Sequence, residues 1–308
     1  MAELAGYNPV YNTVSRPLIL SGTRRWKLRF PAGGAVLRAL RYLSAGAAAF
    51  IMAFPFLWMA LNSLKTRDEI WAMPPRFFPM DPQWQNYADA LTDGMFFRYM
   101  WNSFYTSALL TLFTLVNSAM FAYAITRIRF RGRNLLFILV MLTYIMPPAS
   151  TYVPAYILLA KMGLINTHGG YMISSSANIL SIFFFRQVFL GINRSILEAA
   201  RIDGAGHRII LWRIVVPMSA SVFAAMGVLN FIGSYNNYLW PSLIIKRKVN
   251  YLVSMGLRSF FFGGGAYGIK WGAIMAACCI VTVPLLFIFA LGGRRIIKGI
   301  TGDSAVKE

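Results

Sequence analysis

The chain has 308 residues, of which 57% are hydrophobic and 13% are charged, and its mean hydropathy is +0.55. A soluble domain usually carries about 25% charged residues, so this composition indicates a membrane protein. Long apolar runs without two-residue alternation favour a helix bundle over a closed barrel. The net charge of +20 does not indicate a nucleic-acid partner, because the basic residues are spread over every loop, as positive-inside topology produces.

Residues 1–35 are polar and basic and are predicted to form a cytoplasmic N-terminal tail. Residues 36–297 are predicted to be the transmembrane domain and residues 298–308 a cytoplasmic C-terminal tail. Six apolar segments are each long enough to cross about 30 Å of hydrocarbon as a helix. They are Tyr42–Leu61, Trp101–Ile125, Leu135–Ala160, Tyr171–Leu190, Ala220–Ile245 and Trp271–Gly292. The prediction is therefore an all-α polytopic bundle with six transmembrane helices.

Two of these segments carry features that are unusual inside lipid. The third contains Pro147, Pro148 and Pro154 and is predicted to be kinked or partly unwound. The fifth places the polar run Ser234-Tyr-Asn-Asn-Tyr238 well inside an apolar stretch. Irregular backbone at that depth is tolerated only against protein or a water-filled path.

The distribution of Lys and Arg predicts the orientation. Of the 30 basic residues, 20 lie in the two tails and in the segments that follow the second and fourth spans, counting Arg186 with the latter. The positive-inside rule then places both termini and the polar loop at about 191–217 in the cytoplasm. The run Lys246–Lys248 opposes this assignment, since it falls on the outer side.

The loop after the fourth span is the densest polar segment between two apolar runs. Ser195 and Glu198 form a Ser-x-x-Glu pattern, which predicts a helix beginning near Ile196. Gly204 suits the position just past a helix end, and Pro217 suits the first turn of the fifth span. A second short helix is predicted at about His207–Val215, with Ile210, Leu211 and Ile214 on one side. Capping alone would explain Glu198, and contact with lipid headgroups would explain the arginines of this loop.

The spacing of Glu198-Ala199-Ala200, Gly204 and Pro217 resembles the cytoplasmic signature loop of permeases in bacterial binding-protein-dependent ABC importers. The run from Glu198 to Ala205 is similar to the carbohydrate branch of that family in particular, as in the six-span subunit of maltose- or glycerol-phosphate-type importers. Further segments agree with that branch: Phe54–Trp58, Ser63–Thr66, Asn86-Tyr87, Trp101–Ser103, Ala122–Ala124, Arg129–Gly132, Gly163–Thr167 and Lys298–Gly302. The sequence departs from the family pattern at Asn193, Val216 and Tyr235, and its N-terminal tail is longer than usual.

The resemblance implies a type I ABC importer permease located in the bacterial inner membrane. It implies a heterodimer with a second permease, two cytoplasmic ATPase subunits and an extracytoplasmic substrate-binding protein. ATP and Mg²⁺ would be bound by the ATPase, so this chain needs no cofactor, metal or catalytic residue of its own. The loop would be the coupling helix that docks on the ATPase, through Glu198, Ala199, Ala200, Asp203, Gly204 and Pro217. Glu198 would anchor it by an ion pair.

Candidates for a sugar path are aromatic and amide side chains in or near the spans, because aromatic faces stack on sugar rings and amides match hydroxyls. The candidates are Tyr235, Asn236, Asn237 and Tyr238, followed by Tyr144, Tyr152 and Asn178. Hydrogen bonding between helices is the alternative explanation for these groups.

Other functional classes have less support in the sequence. A secondary transporter or channel usually carries intramembrane carboxylates, and none of the ten acids lies in a predicted span. An embedded enzyme would need convergent His, Asp or Cys side chains, but both histidines lie in loops, and Cys278 and Cys279 are adjacent in an apolar run. The glycine-rich stretch Gly263–Lys270 follows no strand, so it fails as a nucleotide site.

Overall fold

The structure is a computed structural model, and it describes residues 34–91, 95–262 and 270–300. The sequence-based interpretations of residues 1–33, 263–269 and 301–308 concern residues outside these ranges. The described part of the chain is helical and contains no strand, as predicted. The chain divides into two compact units between residues 54 and 55, and the packing of the second unit is as follows.

Three helices are long and apolar enough to cross a bilayer, and three bent helix pairs reach that length and composition when each pair is taken together. The long helices are α1 (Gly34–Asn62), α4 (Met95–Arg127) and α15 (Trp271–Ile300). The shorter helices are α2 (Arg67–Ile70), α3 (Gln85–Leu91), α5 (Arg133–Thr143), α6 (Pro148–Lys161), α7 (His168–Ser175), α8 (Ile179–Gly191), α9 (Arg194–Ile202), α10 (His207–Ile209), α11 (Val216–Met218), α12 (Ala220–Tyr235), α13 (Leu239–Ile244) and α14 (Val253–Phe262). At the centre, α12 packs against α4 and α15, and α8 packs against α4.

The third predicted span is broken, as its prolines indicated. Helix α5 ends at Thr143, α6 begins at Pro148, and the two axes differ by 103°. Pro147 has no N–H to donate and precedes a second proline, which disfavours helical backbone there; its φ and ψ are −58° and 130°.

The fourth and fifth predicted spans are also interrupted. In the fourth, residues 176–178 separate α7 from α8 with a bend of 46°, and the side chain of Asn178 caps α8 by accepting from Ser181 N at 2.8 Å. In the fifth, residues 236–238 separate α12 from α13. Pro241 cannot donate to the carbonyl of Asn237, and Ser254 Oγ donates to that oxygen instead, at 2.8 Å. The second interruption coincides with the polar run Ser234–Tyr238 that is unusual in the sequence, whereas the sequence analysis did not indicate the first.

Polar side chains near the N-terminal end of α4 hold distant backbone in place. Asn102 Nδ2 donates to the carbonyls of Val249 and Tyr251, at 3.0 and 3.1 Å, and Ser103 Oγ accepts from Val253 N at 2.7 Å. We call Asn102, Ser103, Asn166, His168 and Asn250 the distal network, since they lie at the opposite end of α4 from the loop at 191–217.

The rest of the distal network centres on Asn166, which adopts a left-handed conformation with φ of 62°. Asn166 Oδ1 accepts from Arg247 N at 3.2 Å and also from Lys246 N, and its carbonyl accepts from Asn250 Nδ2 at 2.7 Å. His168 bonds to the carbonyl of Asn250 at 2.8 Å and to the hydroxyl of Tyr105. The network therefore joins the turn before α7 to the segment between α13 and α14.

A second polar cluster lies between α1 and α4 and is built on Lys65, whose side chain is 1% exposed. Lys65 Nζ donates to Asn62 Oδ1 at 2.8 Å and to the carbonyl of Arg76 at 2.6 Å, and it lies 4.5 Å from the Trp58 ring centroid. Desolvation lowers the pKa of Lys65, and the charge of Glu69 opposes that shift. Asn86 Nδ2 closes the cluster by donating to the carbonyl of Lys65 at 3.1 Å.

Candidate functional site

The loop after α8 forms two short helical segments joined by a turn, and we call residues 194–218 the coupling region. Its first helix, α9, begins at Arg194, two residues before the predicted start. The predicted Ser195–Glu198 capping box was wrong, because Asn193 is the N-cap and its Oδ1 accepts from Ser195 N at 3.1 Å. An earlier cap places Ser195 inside the first helical turn.

The C-terminal end of α9 is as the sequence predicted. Gly204 has a φ of +82°, a conformation that an L side chain rarely adopts. Its N–H bonds to the carbonyl of Arg201 at 3.0 Å, and Ala205 N–H bonds to the carbonyl of Ala200 at 2.9 Å. This pair of bonds is a Schellman motif, which ends the helix and sets the direction of the next segment.

The second segment runs from His207 to Met218 and makes an angle of 83° with α12. It is longer than the predicted helix at His207–Val215, and its middle, Ile210–Val215, is a π-helix, which the sequence did not predict. Ile210 and Leu211 are buried and Ile214 is half-buried, in line with their predicted apolar face, and Val215 is also buried.

Apolar packing attaches the coupling region to the helices. Leu197, Ile210, Leu211 and Val215 belong to one buried cluster together with side chains from α4, α8 and α12: Ala119, Ala122, Tyr123, Phe185, Phe189, Ile192, Val222, Ala225 and Met226. Polar bonds supplement this packing. Tyr123 OH bonds to His207 Nδ1 at 3.0 Å, and Arg127 Nη2 donates to the carbonyls of Ile192, at 2.9 Å, and Phe189.

The opposite side of the coupling region faces outwards. Five of the six predicted coupling residues are exposed, namely Glu198, Ala199, Asp203, Gly204 and Pro217, and the sixth, Ala200, is half-buried. The sequence reasoning missed Ile202, whose side chain is 86% exposed at the end of α9. Ile202 therefore adds an apolar side chain to the exposed side of α9. The sequence could have indicated this exposure, because Ile202 lies between the charged residues Arg201 and Asp203.

Two of the candidate path residues line one polar cavity of about 210 Å³ between α4, α7 and α12. Asn178 and Asn237 contribute amides, and Tyr171 and Ser175 contribute hydroxyls. Asn230 also lines this cavity, and sequence reasoning missed it because it lies inside the apolar part of α12. Its Nδ2 donates to Ser181 Oγ and to the carbonyl of Met226, both at 2.8 Å.

The other five candidates do not line this cavity. Tyr238 lines a second cavity of about 320 Å³, where Arg258 Cζ lies 5.4 Å from its ring centroid. Tyr235 is buried in a core cluster, and Tyr152 stacks on Trp240 with centroids 5.1 Å apart. Asn236 and Tyr144 are exposed, the latter in the break between α5 and α6. No group of three or more His, Cys, Asp or Glu suited to a metal ion occurs in residues 34–91, 95–262 and 270–300.

Comparison with known proteins shows which family the chain belongs to. Residues 94–301 match the model of the family described as binding-protein-dependent transport system inner membrane component. The chain is 31% identical to the sn-glycerol-3-phosphate transport system permease protein UgpE of Yersinia enterocolitica, with 81% of this chain and 91% of that protein covered. It is 30% identical to the diacetylchitobiose uptake system permease protein NgcG of Streptomyces coelicolor, with coverage of 80% and 82%.

A solved structure has the same fold. It is a bacterial ABC transporter involved in the import of the acidic polysaccharide alginate, and it superposes with a TM-score of 0.71 at 21% identity. The superposition covers 84% of this chain and 96% of that chain.

Proposed function

Because the chain belongs to the family of binding-protein-dependent transport system inner membrane components, we propose that it is the permease subunit of an ATP-driven sugar importer. It would form half of the translocation path together with a second permease. Two ATPase subunits would bind ATP and Mg²⁺ in the cytoplasm, and an extracytoplasmic binding protein would deliver the substrate. The two relatives named above are the permease proteins of a diacetylchitobiose uptake system and of an sn-glycerol-3-phosphate transport system, which supports a carbohydrate or a related polyol phosphate as the substrate class.

The observation that carries this proposal is the two-sided construction of the coupling region. Its apolar side is fixed in the core through Leu197, Ile210 and Val215, while Glu198, Ala199 and Ile202 remain available to a partner. Packed cores shift between discrete arrangements rather than deform continuously, so a push on the exposed side would move the coupling region together with the helices it packs against. Closure of the ATPase subunits would then move α9 and with it the ends of α4, α8 and α12.

Glu198 is the residue that would anchor the ATPase. We expect Glu198→Ala to abolish most of the ATPase activity that the loaded binding protein stimulates, because losing one partner of a desolvated charge pair costs about 2–5 kcal/mol. Ser195→Ala is the matched control, since Ser195 is exposed one turn earlier on α9. Equal stimulated hydrolysis and uptake in both variants would remove Glu198 from the coupling role.

The orientation with both termini in the cytoplasm belongs to the same proposal. It places the coupling region inside the cell and Val249, an exposed residue between α13 and α14, outside. A membrane-impermeant thiol reagent added to intact cells should label Val249→Cys and leave Ile202→Cys unlabelled, in a background with Cys278 and Cys279 replaced by serine. The reverse labelling would invert the assignment.

We further propose that the cavity lined by Asn178 and Asn237 forms part of the sugar path, since its amides and hydroxyls match the hydroxyls of a sugar. The adjacent pair Asn236 and Asn237 gives a direct test, because Asn237 lines the cavity and Asn236 is exposed. We expect Asn237→Ala to change the relative uptake rates of competing sugars in an assembled complex, with a smaller change for Asn236→Ala. Identical profiles for both variants and wild type would assign these amides to helix packing alone.

A further inference from the structure

Arginine side chains converge on one cavity of about 250 Å³ at the coupling end of the molecule. Six arginines line it: Arg127, Arg129, Arg133, Arg186, Arg194 and Arg201. They come from the end of α4, the turn that follows it, the start of α5, the middle of α8 and both ends of α9. Because the contributing segments are far apart in the sequence, folding assembles this cluster, which is not a simple run of basic residues.

The positive charge of this cavity is poorly compensated within the described part of the chain. Glu198 is the acidic residue among the lining side chains. In residues 34–91, 95–262 and 270–300, the ion pair that the structure forms is Lys270–Asp89, which does not involve the cavity. Six guanidinium groups around so small a volume repel one another, and an anion between them would relieve that repulsion.

Some of these side chains are already held in place. The Cζ atom of Arg186 lies 4.1 Å from the ring centroid of Phe137, and Arg127 Nη2 bonds to the carbonyl of Ile192. A ring face and a backbone carbonyl orient a guanidinium without neutralising its charge. Preorganised, uncompensated guanidinium groups are the arrangement that binds phosphate through paired N–H donors.

We propose that the arginine cavity binds a phosphate-bearing anion, either the headgroup of an anionic membrane lipid or a soluble phosphate ester. This site goes beyond the proposed function, since sugar import through this subunit does not require it. The surroundings of the cavity favour the lipid source. Helix α5 continues from Arg133 into exposed apolar side chains on which acyl chains could lie, namely Leu135, Leu136, Ile138, Leu139 and Leu142. Basic pockets between membrane helices bind anionic headgroups in this way.

A bound anion would link the coupling region to the membrane helices. Arg194 and Arg201 belong to α9, whereas Arg133 and Arg186 belong to α5 and α8. A phosphate held between the two pairs would therefore brace α9 against the bundle beside the apolar cluster, since Leu197 belongs to that cluster and also lines the cavity. Removing the anion should loosen α9 and leave the distal network unaffected.

The test compares the double variant Arg133→Gln/Arg186→Gln with Arg131→Gln, each as the full-length chain purified with its accompanying subunits. Arg131 is exposed on the same turn and does not line the cavity, so it controls for the loss of charge. The proteins are placed in nanodiscs of phosphatidylcholine with or without phosphatidylglycerol, and retained lipid is measured by native mass spectrometry. We expect phosphatidylglycerol retention to fall about tenfold for each cavity arginine removed, and not for Arg131→Gln, because each charge-assisted hydrogen bond contributes about that factor.

A parallel titration separates the two sources of phosphate. Glycerol phosphate is added to nanodiscs of phosphatidylcholine alone, and the thermal unfolding midpoint is followed. An increase in the unfolding midpoint that requires the cavity arginines supports a soluble ester, whereas selective phosphatidylglycerol retention without such an increase supports the lipid.

The proposal is wrong if neither probe depends on the cavity arginines, or if Arg131→Gln reduces retention as much as the double variant does. It is also wrong if the double variant retains phosphatidylglycerol and the glycerol phosphate response as wild type does, and loses only one of the accompanying protein subunits. Arg133→Gln alone gives the same comparison should the double variant fail to fold.

Discussion

The coupling region and the distal network lie near opposite ends of α4, about 30 Å apart along the helix, and they are stabilised by different means. Apolar side chains from α4, α8 and α12 hold the coupling region, and Glu198, Ala199 and Ile202 on its other side are exposed. The distal network is held by side-chain hydrogen bonds with backbone groups, in which Asn102 donates to carbonyls and Ser103 and Asn166 accept from N–H groups. The first arrangement fixes the coupling region on one side and leaves the other side exposed. The second fixes irregular backbone whose N–H and C=O groups would otherwise be unpaired.

This difference suggests how the two ends respond to mutation. Apolar packing is spread over many contacts, so its loss costs stability in proportion to the volume removed. A hydrogen-bonded network depends on single polar atoms, so its loss acts locally on the segment that those atoms hold. The following predictions test this distinction, beginning with the largest expected effect.

Leu197 and Ile202 lie on the same helix, the first buried and the second exposed. We expect Leu197→Ala to lower the free energy of unfolding by about 2–5 kcal/mol, because it leaves a cavity in the cluster. Ile202→Ala should change it by less than about 0.5 kcal/mol while reducing stimulated ATP hydrolysis. Thermal unfolding in identical nanodiscs measures the first effect. Similar stability losses in both variants would contradict the two-sided description of α9.

Asn102 tests the distal network, because its amide serves two carbonyls on another segment. We expect Asn102→Ala to cost about 1–3 kcal/mol and to speed amide hydrogen exchange in residues 249–253, with no change in residues 194–218. Asn117→Ala, which removes an exposed bond on the same helix, is the control. Faster exchange at both ends of α4 would show that the two regions are not independent.

Gly204 and Gly206 flank Ala205 in open space and differ in backbone conformation, since only Gly204 has a positive φ. Gly204→Ala should cost about 1–2 kcal/mol through the strain of a left-handed L residue. Gly206→Ala should cost less, because Gly206 has a φ of −72° that an L residue adopts without strain, and only the preference of an N-cap for Gly over Ala opposes the change. Thermal unfolding midpoints of the two variants decide the matter, and equal values would argue against the Schellman motif as the feature that sets the turn.

Glu69 provides the smallest expected effect. Hydrogen bonds from the N–H groups of Met80 and Thr66 hold the pKa of its carboxyl below the usual range. A depressed pKa in the folded protein stabilises the loop above the unfolded value of about 4.3, and this contribution is lost as the pH falls through the folded value. Acid titration of tryptophan fluorescence, to which Trp71 contributes as one of eight tryptophans, should show a transition that Glu69→Gln lacks. The same transition in both proteins would contradict this assignment.

The local features of the fold were predictable from sequence. Gly204 indicated the end of α9, and the paired prolines indicated the break before α6, because both act through the backbone of their own neighbourhood. The segments that carried the family resemblance also have structural explanations. Lys65 and Asn86 belong to one buried cluster, and Asn102 and Asn166 belong to the distal network.

What could not be predicted depends on contacts between distant segments. The break at 236–238 is stabilised by Ser254, and Asn166 bonds to backbone about 80 positions away. The arginine cavity combines α4, α5, α8 and α9, and no local pattern indicates that Arg133 and Arg186 meet. Asn230 was missed for a similar reason, since only the packing of α7 and α8 against α12 gives its amide a cavity to line.

The central claim is that the exposed side of the coupling region docks on an ATPase subunit. The most direct measurement is cross-linking from Ile202→Cys, in a background with Cys278 and Cys279 replaced by serine, using the intact complex and a short thiol-to-amine reagent. The account predicts an ATP-sensitive cross-link to the ATPase subunit from Ile202→Cys, and no such product from Val249→Cys in the same preparation. A cross-link from Val249→Cys only, or none that changes with ATP, would contradict it.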